Sequence, residues 1–170
     1  TEMAQRLRAF DWHAHPLGPP LGWPAALRTA VRVMLTTHHP VFIFWGVSAF
    51  CFYNDAYRAS LGPEKHPSLL GARGDQAWAE IWPLIGPQVS QVMAGGEATW
   101  HENQAMDIWR DGGLARMYWT YSYSPLDDES APGGVGGVLV LCQDTTDQVL
   151  DVQRSRAALD VQHLVSGVLA

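Results

Sequence analysis

The stretch LARMYWTYSYS (114–124) alternates with a period of two. Met117, Trp119, Tyr121 and Tyr123 fall on one side; Arg116, Thr120, Ser122 and Ser124 fall on the other, with Tyr118 among them. Only a half-buried strand places every second side chain on one face. A row carrying three large rings must be covered by another layer. The chain has the material for that core: 47% of its 170 residues are hydrophobic and 16% charged, which excludes disorder as the main state. Eight Trp, five Tyr and five Phe predict a core or cavity rich in rings.

Elements on either side of this strand follow from the same rules. Residues 98–110 read as a strand and meet 114–124 at Asp111–Gly112–Gly113, a hairpin signal. After Pro125 and the polar loop DDESAPGG, residues 135–143 (VGGVLVLCQ) read as a last strand. Upstream, VFIFW (41–45) and AFCFY (49–53) are β-branched and aromatic around a turn at Gly46–Ser48. Between the strand groups, NDAYRASLG (54–62) reads as a single helix capped by Asn54 or Asp55 and closed by Gly62. A further helix over AWAEIW breaks near Pro83, restarts near Pro87 and ends at Gly95–Gly96. The order is that of an α+β domain with a five-stranded antiparallel sheet.

Both ends are helical. Met3, Leu7 and Phe10 recur at helical spacing. The Pro-rich connector HAHPLGPPLGWP leads to a helix over AALRTAVRVML with Leu27, Val31, Met34 and Leu35 on one face. From Thr146 onward, Leu150, Arg154, Ala157, Val161, Leu164 and Val168 alternate spacings of four and three, a coiled-coil seam with one polar member. No cap precedes the last residue, Ala170, so a continuing C-terminal effector domain is expected.

Eleven Lys and Arg against 17 Asp and Glu leave a net charge of −6. That balance argues against a nucleic-acid partner, which needs a basic face, and against a polybasic membrane anchor. The longest apolar run, Val41–Tyr53, is interrupted and too short for membrane insertion. Charges in TEMAQRLRAF stand where a signal peptide would be apolar, so a cytoplasmic location is expected. Two cysteines, Cys51 and Cys142, make neither a disulfide framework nor a four-thiolate metal site.

Two segments carry a family resemblance. WGVSAFCFYNDAYRASLG resembles the opening of a PAS domain, and SYSPLDDESAPGGVGGVLVLCQDTT resembles its closing hairpin with Asp-x-Thr at the exit helix. DWHAHPLGPPLGWPAALRTAV, YNDAYRASLGPEKHPSLLG, WAEIWPLIGP, GEATW and YSYSP are similar to the PAS sensors at the front of bacterial multidomain histidine kinases. His13 and His15 stand where that group carries Ser and Thr, and the acidic pair expected between Arg110 and Tyr118 is missing. The resemblance implies a PAS fold, its sheet covered by helices on one face. It divides the chain into a helical extension (1–37), the PAS domain (38–146) and a signal-linker helix (147–170). It also implies a two-component sensor without catalytic residues of its own, acting as a homodimer through its helical ends.

In a PAS fold the inward face of the sheet lines a cavity closed by the middle helices. The expected pocket then comprises Trp119, Tyr121 and Tyr123; Phe42, Phe44, Tyr53, Met106, Val140 and Cys142 from other strands; and Tyr57, Leu61, Trp78 and Trp82 from the helical middle. Rings with hydroxyls suit a small aromatic or heterocyclic ligand. The alternative is that the same rings simply fill the core, leaving a dimerisation or docking module.

Other chemistries are disfavoured. Haem needs an imidazole, yet residues 80–95 contain none, and His38, His39, His66 and His101 lie near element ends. LOV-type flavin chemistry needs a cysteine before the middle helix, whereas Cys51 and Cys142 lie in strands. Flavin without adduct chemistry leaves no sequence signature. His13, His15, His38 and His39 complete no metal-binding spacing and read as solvated. Ser122, Ser124, His101 and Asp107 supply residue types for hydrolysis but form no motif. GGVGG (133–137) lacks the Lys-Ser/Thr and helix of a phosphate loop. His163, in VQHLVSG, lacks the acidic neighbour of a phosphorylated histidine.

Overall fold

A computed structural model describes residues 1–169, so the chain end at Ala170 falls outside it. Helix α1 (Glu2–Ala9) and helix α2 (Ala25–Thr36) precede strands β1 (Val41–Trp45) and β2 (Phe50–Tyr53). Short helices α3 (Asp55–Arg58) and α4 (Gly74–Ala77) and the longer α5 (Trp82–Met93) fill the middle. Strands β3 (Thr99–Arg110), β4 (Gly113–Asp127) and β5 (Val135–Asp144) follow, and α6 (Thr146–Leu169) leaves the domain. The five strands form one antiparallel sheet in the order β2-β1-β5-β4-β3.

Every residue of β1 is buried, because both of its faces are covered. Phe42 and Phe44 turn towards the middle helices, against Tyr57 and Trp82. On the opposite face Ile43 pairs with Phe52, whose ring is stacked on Trp12 at 5.6 Å and edged by Trp23. The helical extension and its connector therefore roof that second face. Met3 and Leu7 of α1 are buried within the same chain, so the apolar side of this helix is already used.

Four expectations are corrected by physical detail. The 54–62 helix closes at Arg58, short of Gly62. AWAEIW is not helical beyond Ala77: Pro83 has no N–H and fits only a first turn, so a new helix begins at Trp82. That helix does not break at Pro87, an exposed position where only the bond to the Pro83 carbonyl is lost. Strand β4 runs through Pro125 to Asp127. β3 begins at Thr99, opposite Tyr123, so beyond that point β4 is an edge on this side and tolerates proline. Two of the four GGVGG glycines have a packing reason. A Cβ at Gly136 or Gly137 would come within 2.5–2.6 Å of the Trp45 indole.

Two polar anchors hold these layers in place. The buried Asn54 side chain accepts from Val41 N–H (3.1 Å) and Tyr57 N–H (3.0 Å) and donates to the carbonyls of Met34 (3.0 Å) and His39 (2.7 Å). The chain's one lysine, Lys65, is buried and paired with Glu80 at 2.8 Å; Glu80 in turn accepts Trp109 N–H at 3.0 Å, tying the middle segment to β3. His15, expected to be solvated, instead bonds the Gly71 carbonyl through Nε2 (2.7 Å) and accepts Leu17 N–H through Nδ1 (3.1 Å). Its ring packs on Phe50.

Urea denaturation tests both anchors. Asn54→Ala strands several buried groups and is expected to cost about 3 kcal/mol or more. Asn54→Asp should also cost about 2 kcal/mol: it is a good helix cap but turns an acceptor towards two carbonyls. Wild-type stability in Asn54→Asp would show that the two donor bonds carry no weight. Lys65→Met leaves the Glu80 carboxylate buried without its partner and should cost about 3–5 kcal/mol. Adding Glu80→Gln, which removes the charge but keeps an acceptor for Trp109, should restore at least half of that loss.

Candidate functional site

Strand β4 sets one wall of a cavity between the sheet and the middle helices. Met117, Trp119, Tyr121 and Tyr123 are all buried while their neighbours are not, as the period of two requires. In register beside them, Tyr123 faces Val140 and Tyr121 faces Cys142 on β5. Val140 in turn pairs with Phe42 of β1. Helix α5 lies across β4 and β5 and closes the space.

The structure brings ten of the expected pocket residues to this cavity: Phe42, Phe44, Tyr57, Trp78, Met106, Trp119, Tyr121, Tyr123, Val140 and Cys142. Tyr53 and Trp82 are not in the lining. Tyr53 packs behind Phe42 and directs its hydroxyl to His66 Nδ1 at 2.8 Å. Trp82 rests over Gly86, where a Cβ would come within 2.7 Å of its indole, and beside Gly74. Leu61 is half-buried at the core's margin and also absent from the lining.

Ile81, Ile85 and Ile108 complete the lining and were missed. Ile81 and Ile85 lie where helix α5 starts, later than sequence rules place it. Ile108 faces inward because β3 carries a bulge, with Asn103 at φ 49° and a register shift between His101 and Gln104. One extra residue there reverses which parity points inward.

The cavity is small. Its free volume is about 40 Å³, room for about three waters at roughly 10–15 Å³ each. Rings occupy the rest: Tyr57 stacks on Trp119 at 5.6 Å, and Tyr121 and Tyr123 lie 4.9 Å apart. Tyr121 donates its hydroxyl hydrogen to Gln88 Oε1 at 2.9 Å. Burial pushes the Tyr57 and Tyr123 hydroxyls and the Cys142 thiol well up from their usual ranges, so all three stay protonated and neutral. Two lining groups have no partner: the indole Nε1 of Trp78 and of Trp119, both buried.

Haem and flavin do not fit this site. No imidazole lines it, and its one lining cysteine, Cys142, lies on the last strand and not before the middle helix, while about 40 Å³ is far short of the 300–1,000 Å³ of a drug-sized pocket. Among the described residues no cluster of three His, Cys, Asp or Glu could hold a metal, and no helix is long and apolar enough to cross a membrane.

The cavity wall is bonded to the root of α6. Trp119 pairs in register with Asp144. Next to it, Tyr118 N–H donates to Thr146 Oγ1 (3.0 Å) and the Tyr118 carbonyl accepts Thr145 N–H (2.8 Å). Asp144 Oδ1 accepts from Thr146 N–H (3.0 Å) and from its hydroxyl (2.6 Å). Beyond Leu150 every described residue of α6 is exposed. Of the expected seam, Leu150 is half-buried; Arg154, Ala157, Val161, Leu164 and Val168 lie open. Val152, Leu159, Val165 and Leu169 are exposed off that seam.

Among solved structures, the chain is similar to a phage VqmA–DPO complex, at 22% identity over 79% of this chain and 60% of that one, TM-score 0.53. It is also similar to an RNA-binding light-oxygen-voltage receptor, at 16% identity over 81% and 37%, TM-score 0.53. A third is the PAS domain of a protein from Colwellia psychrerythraea, at 15% identity over 71% and 98%, TM-score 0.50. The chain thus spans less than two thirds of each of the first two. No curated protein matches the sequence. The family model of the PAS fold matches residues 48–150, more than half of the chain, and with the five-stranded sheet and its helical cover this makes the chain a member of the PAS family.

Proposed function

We propose that this chain is the sensory module of a cytoplasmic bacterial signalling protein, in which a small molecule in the ring-lined cavity biases a dimeric exit helix. The observation that carries the reading is the direct bonding between the cavity-wall strand and the first turn of α6. Trp119 borders the cavity; its neighbour Tyr118 holds Thr145 and Thr146 with both backbone groups. A ligand that prefers one placement of this strand therefore prefers one placement of the helix root. A ligand with equal affinity for both placements would transmit nothing.

By its resemblance, the parent protein is a two-component histidine kinase, with the effector following α6. The free apolar surface of α6 is then the contact between two copies. Val161, Leu164, Val165 and Val168 are each more than half exposed, and pairing them would remove that surface from water. A docking module without a ligand is the second reading, favoured by how little free volume the rings leave. The chain itself acts as sensor, not catalyst, in both.

Sedimentation of the full chain separates a dimer from a monomer. Replacing Val161 and Leu164 together by Glu should weaken the dimer about a hundredfold or more, since each buried apolar side chain contributes roughly 1.5–3 kcal/mol, and should leave the PAS fold unchanged by circular dichroism. An unaltered dimer in that variant would remove α6 from the interface. Thr146→Val strands Tyr118 N–H. Its expected effect is faster amide exchange in residues 146–150, with the cavity strands still protected; unchanged exchange there would uncouple the strand from the helix.

A further inference from the structure

Resting on the reading of the cavity as a ligand site, we propose that the Tyr121 side chain is its displaceable plug. It holds the place of the ligand, an uncharged ring bearing a hydroxyl, and swings out when that ligand binds. The wall is built of rings, yet its free volume of about 40 Å³ holds about three waters, whereas a dry cavity that takes benzene measures about 150 Å³. Room for a ring therefore comes from moving a ring already there. Tyr121 is placed to move. It is 2% exposed, but its neighbours Gln88 and His101 are both partly exposed, so it stands between the cavity and residues that reach solvent. One hydrogen bond fastens it, from its hydroxyl to Gln88 Oε1 at 2.9 Å. His101 is the last residue of the edge strand β3 in register before the bulge, where the ladder is interrupted. Phe42, by contrast, is enclosed by Phe44, Tyr53, Tyr57 and Trp78.

The contacts of the plug specify what replaces it. Its ring packs on His101 at 5.1 Å and on Tyr123 at 4.9 Å, so the space it leaves has two rings to stack against. Gln88 Nε2 donates to the Leu84 carbonyl at 3.3 Å, which leaves Oε1 as the acceptor for a hydroxyl hydrogen. No lining residue carries a carboxylate, ammonium or guanidinium, so a charged ring would enter without a counter-charge. Phenol, the head group of the side chain itself, meets each condition. Displacing Tyr121 also acts directly on β4, the strand whose Tyr118 holds the root of α6.

Two measurements on the full chain test the plug. In the first, phenol is titrated into protein labelled at its isoleucine methyls, read at Ile81, Ile85 and Ile108, which line the cavity. The natural chain is expected to bind saturably. Tyr121→Ala should bind at least about tenfold more tightly, because no plug has to leave. Benzoate, a ring with a charge, should bind at least about tenfold more weakly than phenol. Binding to Tyr121→Ala alone would overturn the proposal, since any deleted core ring leaves a hole. Equal phenol affinities of the two chains would overturn it too, and equal affinity for benzoate would overturn the ligand class.

In the second, methyl methanethiosulfonate reports access to Cys142, which lines the cavity, against Cys51, which is fully buried outside it. Gln88→Leu removes the acceptor of the Tyr121 hydroxyl and should raise the labelling rate of Cys142 about fivefold, with Cys51 unchanged. No rise at Cys142 would overturn the plug, and so would an equal rise at both cysteines, the mark of a loosened fold. Should Tyr121→Ala not fold, this labelling and the titration of the natural chain decide. Phenol binding that leaves both the α6 exchange rates and the dimer unaltered would uphold the plug and instead defeat the signalling reading.

Discussion

Four hydrogen bonds of one buried amide hold this fold's layers in register. Asn54 sits at the junction of β2 and α3, and its side chain reaches the end of α2, the connector before β1, the first residue of β1 and the first turn of α3. No hydroxyl or carboxylate could satisfy two donors and two acceptors at once. If α2 slid along the sheet, the Met34 carbonyl would lose its partner; if β1 slipped by one residue, Val41 N–H would. Slippage of β1 would also turn Phe42 and Phe44 away from the cavity and bring Val41 and Ile43 into it. The ring-lined face therefore depends on a polar contact made well outside it.

That contact also explains how the sheet is covered on both faces where PAS cover and helical extension meet. With β1 buried throughout, α2, Trp12 and Trp23 support the strand from behind while the middle helices close the front. A wall supported on both sides resists deformation, and closely packed interiors transmit displacement in place of absorbing it. The Lys65–Glu80 pair does the corresponding work for the front layer, fastening it to β3 through Trp109. Removing either partner leaves a buried charge, so the middle segment is held in one place and not merely laid over the sheet.

The aromatic row of β4 and the helical run of α6 were legible because they are local periodicities. The capping role of Asn54 was legible for the same reason, since an N-cap is read within one turn. Its two donor bonds were not, because Met34 and His39 precede it by 20 and 15 residues. His15 and Lys65 show the same limit more sharply. A histidine on a Pro-rich connector reads as solvated until Gly71, 56 residues away, supplies a carbonyl. Nothing local to Lys65 signals its burial, which rests on Glu80, 15 residues further on. Ile108 shares its face with Met106, two residues before it, which the sequence reading did include; the bulge at Asn103 puts both on the inward side. Pro125 misled in the opposite sense: a proline ends a central strand, but where β3 starts decides whether β4 is central there.

Trp119 and Tyr118 are adjacent, and in a strand adjacency means opposite faces. One borders the cavity; the other grips the first turn of α6 with its N–H and its carbonyl. No side-chain relay is needed between the two sites, because a translation or twist of this strand segment moves both together. In the proposed function, the free surface of α6 would convert such a motion into a signal. A helix packed on its own sheet would resist, whereas one exposed beyond Leu150 is opposed only by whatever pairs with it. In the proposed pairing of two copies, small displacements at the root would be read out at the far end of 24 helical residues, where a change of angle would have its largest effect on how the helices meet.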